Sequence, residues 1–442
     1  MPPRDDARRL GAELARVARP LSTDADLDPL IERIGDAQYV LLGEATHGTS
    51  EFYRWRDRLS RRLIAEQGFS FVAVEGDWPD CYRINGYVKG WSRDGNAREV
   101  LRHFERWPTW MWANTEVAGF AEWMRRYNGT RPVERMAGFY GLDVYSLWES
   151  IHAVTQYLDE RDPELARQAR QAYACFDPYY EDPQEYARAT ALVPTSCADE
   201  AVAVLTTLRG EATELKEDGS DAREAYFNAE QNALTARNAE MYYRTMIRGG
   251  SASWNLRDHH MVETLERLMA HHGPRAKAIV WEHNTHVGDA RFTDMAAHGM
   301  VNVGQIVRER HGEAGVVLVG FGTHHGTVIA AEEWGEPMQR MQVPDARPGS
   351  FEDACHEAGR GDFLLVFEDS VDGGIGALGE PWDHRAIGVV YDPHRERWGN
   401  YVPTMVPGRY DAFMYVEESK AVGALHLEAR VTGEEETFPS GM

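Results

Sequence analysis

Five short apolar runs punctuate the chain: YVLLG at 39–43, FVAVEG at 71–76, MAGFYGLD at 136–143, KAIVWEHN at 277–284 and VVLVGFG at 316–322. They are rich in Val, Ile and aromatic residues and stop at glycine or a polar residue, the signature of buried strands. Segments with apolar residues three and four apart, at 51–67, 115–128 and 302–311, separate several of them and predict helices. Strand alternating with helix predicts an α/β fold, a largely parallel sheet flanked by helices in three layers.

Between about 146 and 272 the strand signals vanish. Long Ala/Glu/Arg/Tyr stretches such as AREAYFNAEQNALTARNAEMYYRTMI take over, predicting a helical subdomain. Short strand signals return after about 345, in GDFLLVFED, HRAIGVVYDP and YDAFMYV. The expected organisation is an α/β catalytic domain from residues 1–145 and 273–442, interrupted by a helical subdomain at 146–272.

With 442 residues and 43% hydrophobic content the chain has ample material for a large core. A formal net charge of −24 argues against nucleic acid or an anionic membrane as partner. No segment approaches the length of a membrane span, and MPPRDDARRL lacks the apolar core of a secretion signal, so a soluble cytoplasmic protein is expected. The four cysteines, Cys81, Cys175, Cys197 and Cys355, lie far apart with no CxxC pair. That spacing speaks against a disulfide framework and a cysteine-rich zinc site.

Polar groups gather where the strands end. Glu44 and His47 follow the first run, Glu75 and Asp77 end the second, Asp143 the third, Glu282, His283 and His286 the fourth, and His324 and His325 the fifth. In open α/β sheets ligands bind beyond the carboxyl ends of parallel strands. Gly43 and Gly48 frame Glu44 and His47 and would permit a tight turn and a close backbone approach. Helical side chains tilt toward the helix N-terminus, so Arg56 would point back at the His47 loop.

An imidazole takes a proton from water near neutrality, a neighbouring carboxylate orients it, and an arginine could meet the negative charge on an attacked carbonyl. The chain has no GxSxG elbow, HExxH, GxxxxGK[ST] or strand-following GxGxxG, which favours water activated by histidine over a serine nucleophile. Trp107, Trp110, Met111 and Trp112 either wall a pocket for a bulky apolar ligand or pack against the sheet. Arg257 and Asp258 read equally well as functional or as a helix-anchoring ion pair.

LLGEATHGTSEFYRWR, VAVEGDWPDCYRINGYV, FERWPTWMWAN, WNLRDHHMVETLERL and WEHNTHVGDAR resemble, in order, blocks of the erythromycin esterase family. The resemblance covers most of the chain. It implies an α/β domain with a helical portion covering a cleft, and hydrolysis of a carboxylic ester, a macrolide lactone among the candidates. His47 would be the general base on water, with Glu44, Arg56, Glu75 and His286 completing the catalytic set. His283, Trp112, His324 and Asp143 are the expected substrate-binding residues, the partner being a small-molecule ester with no cofactor. The FGTHHGT stretch departs from the FGTYTGT-like form of the family, placing His324 and His325 where a Tyr-Thr pair is expected. Two rival readings use the same cleft: a metal-dependent peptidase or amidase with ligands from Glu44, His47, Glu75, His283 and His286, and a non-catalytic small-molecule binder.

Overall fold

The structure is a computed structural model describing residues 4–179, 183–192, 196–210, 220–247, 250–370, 372–426 and 429. Parts of the expected helical stretch and the C-terminal end of the expected α/β domain lie outside the described residues. Eleven strands are present among them: β1 (Arg19–Pro20), β2 (Tyr39–Leu42), β3 (Phe71–Asp77), β4 (Gly138–Asp143), β5 (Ala278–Trp281), β6 (Val316–Ala330), β7 (Gln339–Val343), β8 (Phe363–Val366), β9 (Trp382–Arg385), β10 (Tyr401–Thr404) and β11 (Ala412–Ser419). The main sheet runs β1-β8-β11-β6-β2-β5-β3-β4, with β7 paired to the far half of β6.

The stretch from β11 through β4 is entirely parallel, so all five apolar runs point their carboxyl ends the same way. β8, β1 and β7 pair antiparallel. The last strands depart from the sequence expectation. β8 and β11 join the main sheet, whereas β9 pairs with β10 in a separate two-stranded ribbon. The rest of HRAIGVVYDP touches the fold through isolated bridges at Ile387 and Val390.

Period-two alternation explains the three layers. Val40, Leu42, Val72, Val74, Ile279 and Trp281 face one side, under the helices Ser50–Gln67 and Thr115–Asn128. Tyr39, Leu41, Phe71, Ala73, Ala278 and Val280 face the other, under the helices Ser251–His272 and Val303–His311. Strands covered on both faces read as unbroken apolar runs, which is why they stood out.

The helices Leu147–Arg161, Pro163–Tyr173, Ala198–Gly210 and Ser220–Met246 enclose a second core around Val154, Leu158, Leu205, Leu234 and Tyr242. Cys175 and Cys197 are disulfide-bonded there, with Cα atoms 6.0 Å apart. This corrects the expectation drawn from cysteine spacing: helix packing brings together two residues that 21 intervening positions keep apart in sequence. Among the described residues no helix is long and apolar enough to cross a membrane.

The loop from β2 is clamped into the sheet end. Asn284 N–H donates to the Glu44 carbonyl at 2.8 Å, Ile387 N–H to the Ala45 carbonyl at 2.8 Å, and Ile329 N–H to the Gly48 carbonyl at 3.2 Å. The glycines serve close approach here. A Cβ on Gly43 would meet Asn284 and one on Gly48 would enter the Ile329 backbone. Gly48→Ala is therefore expected to destabilise the protein by about 3 kcal/mol, the upper end of overpacking costs. In the same urea series, Gly86→Ala, which would place its Cβ in open space on a helix, should be neutral or stabilising. Equal midpoints for the two variants would refute the clamp.

Candidate active site

The first layer of the site is a carboxylate–imidazole pair at the tip of β2. His47 Nδ1 lies 2.8 Å from Glu44 Oε1, and both side chains are buried. A carboxylate at Nδ1 fixes that proton and leaves Nε2 as the nitrogen able to accept one. Arg56 pairs with the other oxygen, Nη2 to Glu44 Oε2 at 2.6 Å. It is wholly enclosed, its guanidinium 4.4 Å from the Tyr53 ring centroid and 5.1 Å from that of Trp281. Arg56 does point back at the loop, as its helix position requires. Arg56 backs Glu44 and, like His47, is not among the residues lining the pocket.

The second layer joins the ends of β3 and β4 to the helix Ser251–His272. Arg257 grips Asp143 with two hydrogen bonds, Nε to Oδ1 at 2.9 Å and Nη2 to Oδ2 at 2.7 Å, and reaches Glu75 Oε1 from Nη2 at 2.8 Å. Glu75 Oε2 accepts the His283 backbone N–H at 2.8 Å. Burial works against ionising Glu75, but His286, Arg257 and His47 hold its pKa well below the carboxylate range.

His286 sits between two acids, Nδ1 2.9 Å from Asp258 Oδ1 and Nε2 3.4 Å from Glu75 Oε1, with its ring stacked on Trp254. Burial opposes its charge, yet Asp258 and Glu75 prevail and raise its pKa above 6.5. Arg257 Nη1 also approaches His286 Nε2, at 3.2 Å. Arg257 Nη1 can only donate, so a neutral His286 accepts that bond at Nε2, and a proton on Nε2 sets two cations side by side with Glu75 and Asp143 next to them.

Glu282 ends β5 in the same region. Both of its carboxyl oxygens are buried with no hydrogen-bond partner among the described residues. Burial, then the Glu75 and Asp258 charges, push its pKa far up, so it is a neutral acid. His283 is depressed by burial and by neighbouring His47, and its ring centroid lies 4.9 Å from that of His47. Its Nδ1 is 2.8 Å from Thr285 Oγ1, while its backbone N–H positions Glu75.

A pocket opens beside these groups. Glu75, Asp143 and Arg257 form its polar floor, and Phe104, Trp107, Met111, Trp112 and Trp334 are among its apolar lining. Trp112 thus both walls the pocket and packs, its indole N–H donating to the Glu75 carbonyl at 2.8 Å. His47 is 1% exposed and does not line the pocket.

His324 is not brought to this cluster. It lies farther along β6, its ring stacked on His356 at 3.9 Å and its Nδ1 3.0 Å from that of His325. β6 runs past the sheet tip, so a residue two positions beyond the expected strand end is carried elsewhere. Sequence reasoning left Arg257 and Asp258 undecided. The signal was a charged pair on the Trp254, Met261, Leu265 face of a helix, which can be buried only with partners waiting.

Zinc or manganese ligation by Glu44, His47, Glu75, His283 and His286 finds little geometric support. Among the described residues, only His324, His325 and Glu417 bring one ligand atom each within 4.8 Å of one another.

The erythromycin esterase family model matches residues 64–419. The chain belongs to the erythromycin esterase family. The matched stretch holds Glu75, Asp143, Arg257, Asp258 and His286, while Glu44, His47 and Arg56 precede it. An Escherichia coli protein described as erythromycin esterase type II is 30% identical over 119 residues, 27% of this chain and 26% of that protein. The chain thus matches about a quarter of that relative's length. A succinoglycan biosynthesis protein of known structure shares 23% identity with a TM-score of 0.75, over 95% of this chain and 98% of its own. A mutant of erythromycin esterase EreC in its open conformation shares 16% with a TM-score of 0.65, over 92% and 97%. At these identities the structural likenesses establish the fold, an α/β sheet shared across this erythromycin esterase family member and its neighbours.

The raised pKa of His286 fixes a pH dependence. The folded state favours its protonated form, so its contribution is complete below pH 6.5 and fades as pH rises through the raised value. The stability difference between wild type and His286→Gln in urea should be larger at about pH 5.5 than at about pH 9. A difference that grows with pH would show that His286 is neutral in the fold.

Proposed function

We propose that this protein is an esterase-type hydrolase in which His47 activates water for attack on a carboxylic ester, a macrolide lactone being one candidate. The reading rests above all on the buried Glu44–His47 pair, whose 2.8 Å contact at Nδ1 directs the basic nitrogen away from the acid. Water loses a proton to His47 Nε2 as its oxygen bonds to the ester carbon. Arg257, a pocket-lining cation held by Glu75 and Asp143, stabilises the oxyanion of the tetrahedral intermediate. Collapse expels the alcohol, and the His286 imidazolium, kept charged by Asp258 and Glu75, returns a proton to it. The proton held by His47 leaves to solvent and His286 regains one from it, so both imidazoles are restored and the acid and alcohol products balance with the water consumed.

Glu44 and Arg56 act through His47. Arg56 neutralises the carboxylate from behind, which keeps Glu44 an acceptor and sustains the tautomer. The apolar wall of Trp107, Met111 and Trp112 suits an ester with a bulky hydrocarbon body.

The test is mass spectrometry of the protein incubated with a panel of macrolides and simple esters, beside His47→Ala. Gain of one water on a substrate, with turnover lowered by about 10² to 10⁴ in the variant, is the expected result. Undiminished turnover in a folded His47→Ala would remove His47 from the mechanism.

A further inference from the structure

Away from the pocket, β6, β11 and the short helix Phe351–Glu357 converge on a group of imidazoles and one carboxylate. We propose that His324, His325 and Glu417 form a binding site for a divalent first-row transition metal of the zinc type, with His356 supporting Glu417 and the His324 ring from outside.

Register creates the group. Val416 pairs with Thr323 and Glu418 with His325 on neighbouring parallel strands, so Glu417 and His324 stand side by side. Their closest ligand atoms, Oε1 and Nδ1, are 4.0 Å apart. His325 turns its Nδ1 to within 3.0 Å of His324 Nδ1. His356 adds its Nδ1 2.6 Å from Glu417 Oε1 and stacks on the His324 ring.

Two imidazole nitrogens facing each other at 3.0 Å must share a proton, since two lone pairs repel. A cation at that place takes both lone pairs and releases the proton. Tetrahedral zinc, with bonds of about 2.0–2.1 Å to nitrogen, holds two nitrogens roughly 3.3 Å apart. That spacing is reached from 3.0 Å by a small rotation of either ring. Glu417 is already oriented, because the Tyr415 hydroxyl donates to Oε2 at 2.8 Å and leaves Oε1 toward the histidines.

The donor set selects the ion. Two imidazole nitrogens and one carboxylate oxygen, with a fourth position left to water, suit zinc, cobalt, nickel or copper and not calcium or magnesium, which require mostly oxygen. Access is open: His325 lines a polar surface pocket with Thr327, Arg340 and Lys420. The group lies apart from the pocket and is independent of the proposed ester chemistry.

The experiment is titration of the full chain, stripped with chelator, using zinc by calorimetry and cobalt(II) by visible absorption. Wild type should take up one equivalent with release of protons and show the intense absorption of low-coordinate cobalt. The double variant His324→Tyr/His325→Thr should bind more than about tenfold more weakly, with the apo melting temperature and circular dichroism unchanged. Should that variant fail to fold, His325→Gln, at a partly exposed position, must show the same loss, and His356→Ala a smaller one. Equal zinc affinity in wild type and a folded variant would overturn the proposal. So would absence of stoichiometric binding to wild type, or a binding loss confined to His283→Gln, which would move the ion to the His47 cluster.

Discussion

Arg257 is the cation on which the buried end of the sheet depends. Asp143 and Glu75 arrive on adjacent strands and both are nearly without solvent. Two carboxylates taken from water side by side would each cost several kcal/mol. Arg257 answers both through its planar fork, two bonds to Asp143 and one to Glu75, a geometry that a lysine ammonium cannot reproduce. Its guanidinium also lies 4.8 Å from the Tyr145 ring centroid. The arginine reaches the sheet only because its helix is docked there by Met261, Val262, Leu265 and Leu268. Apolar packing on one sheet face therefore sets the electrostatics of the site at the sheet end.

The same accounting explains why the acids at one location behave differently. Arg257 and the His286 imidazolium provide two positive charges, and Glu75, Asp143 and Asp258 are bonded to them. Glu282 enters the same volume with no cation of its own, so it keeps its proton. Glu75 and Glu282, of equal intrinsic acidity, are thus driven in opposite directions by whether a cation is within reach.

The fold was legible because burial on both faces leaves unbroken apolar runs, and the site was partly legible because polar residues sit where those runs stop. The Glu44–His47 pair could be read from three residues of spacing between two glycines. What spacing could not carry is depth. Arg56 was placed in the right direction, but nothing local shows that Tyr53 and Trp281 would close over it. His324 was misplaced because β6 continues to Ala330 beyond the sheet tip, a length set by its late partner β7, whose Val343 pairs with Gly326 from 17 positions farther along the chain. The Cys175–Cys197 pair and the separate β9–β10 ribbon are likewise products of tertiary approach between segments whose own patterns say nothing of each other.

Chemistry and recognition are carried by different kinds of structure here. Glu44, Glu75 and His286 hang from strand ends that are hydrogen-bonded to neighbours on both sides or from the turns that follow them, and Asp143 ends the edge strand β4 beside Glu75 on β3. The apolar wall hangs from the segment around Trp107–Trp112 and from Trp334, between β6 and β7. These meet through the Trp107–Trp334 ring contact at 4.5 Å and the Trp107 indole bond to the Glu336 carbonyl at 2.9 Å. Irregular segments held by few such contacts open at low free-energy cost, whereas strand tips inside a parallel sheet do not. In the proposed reaction His47 is enclosed, so water and one ester carbonyl must reach it while the rest of the substrate lies against the Trp107–Trp112 wall. Under the proposed reaction, changes in that wall would alter which ester fits while leaving the proposed proton-transfer groups in place.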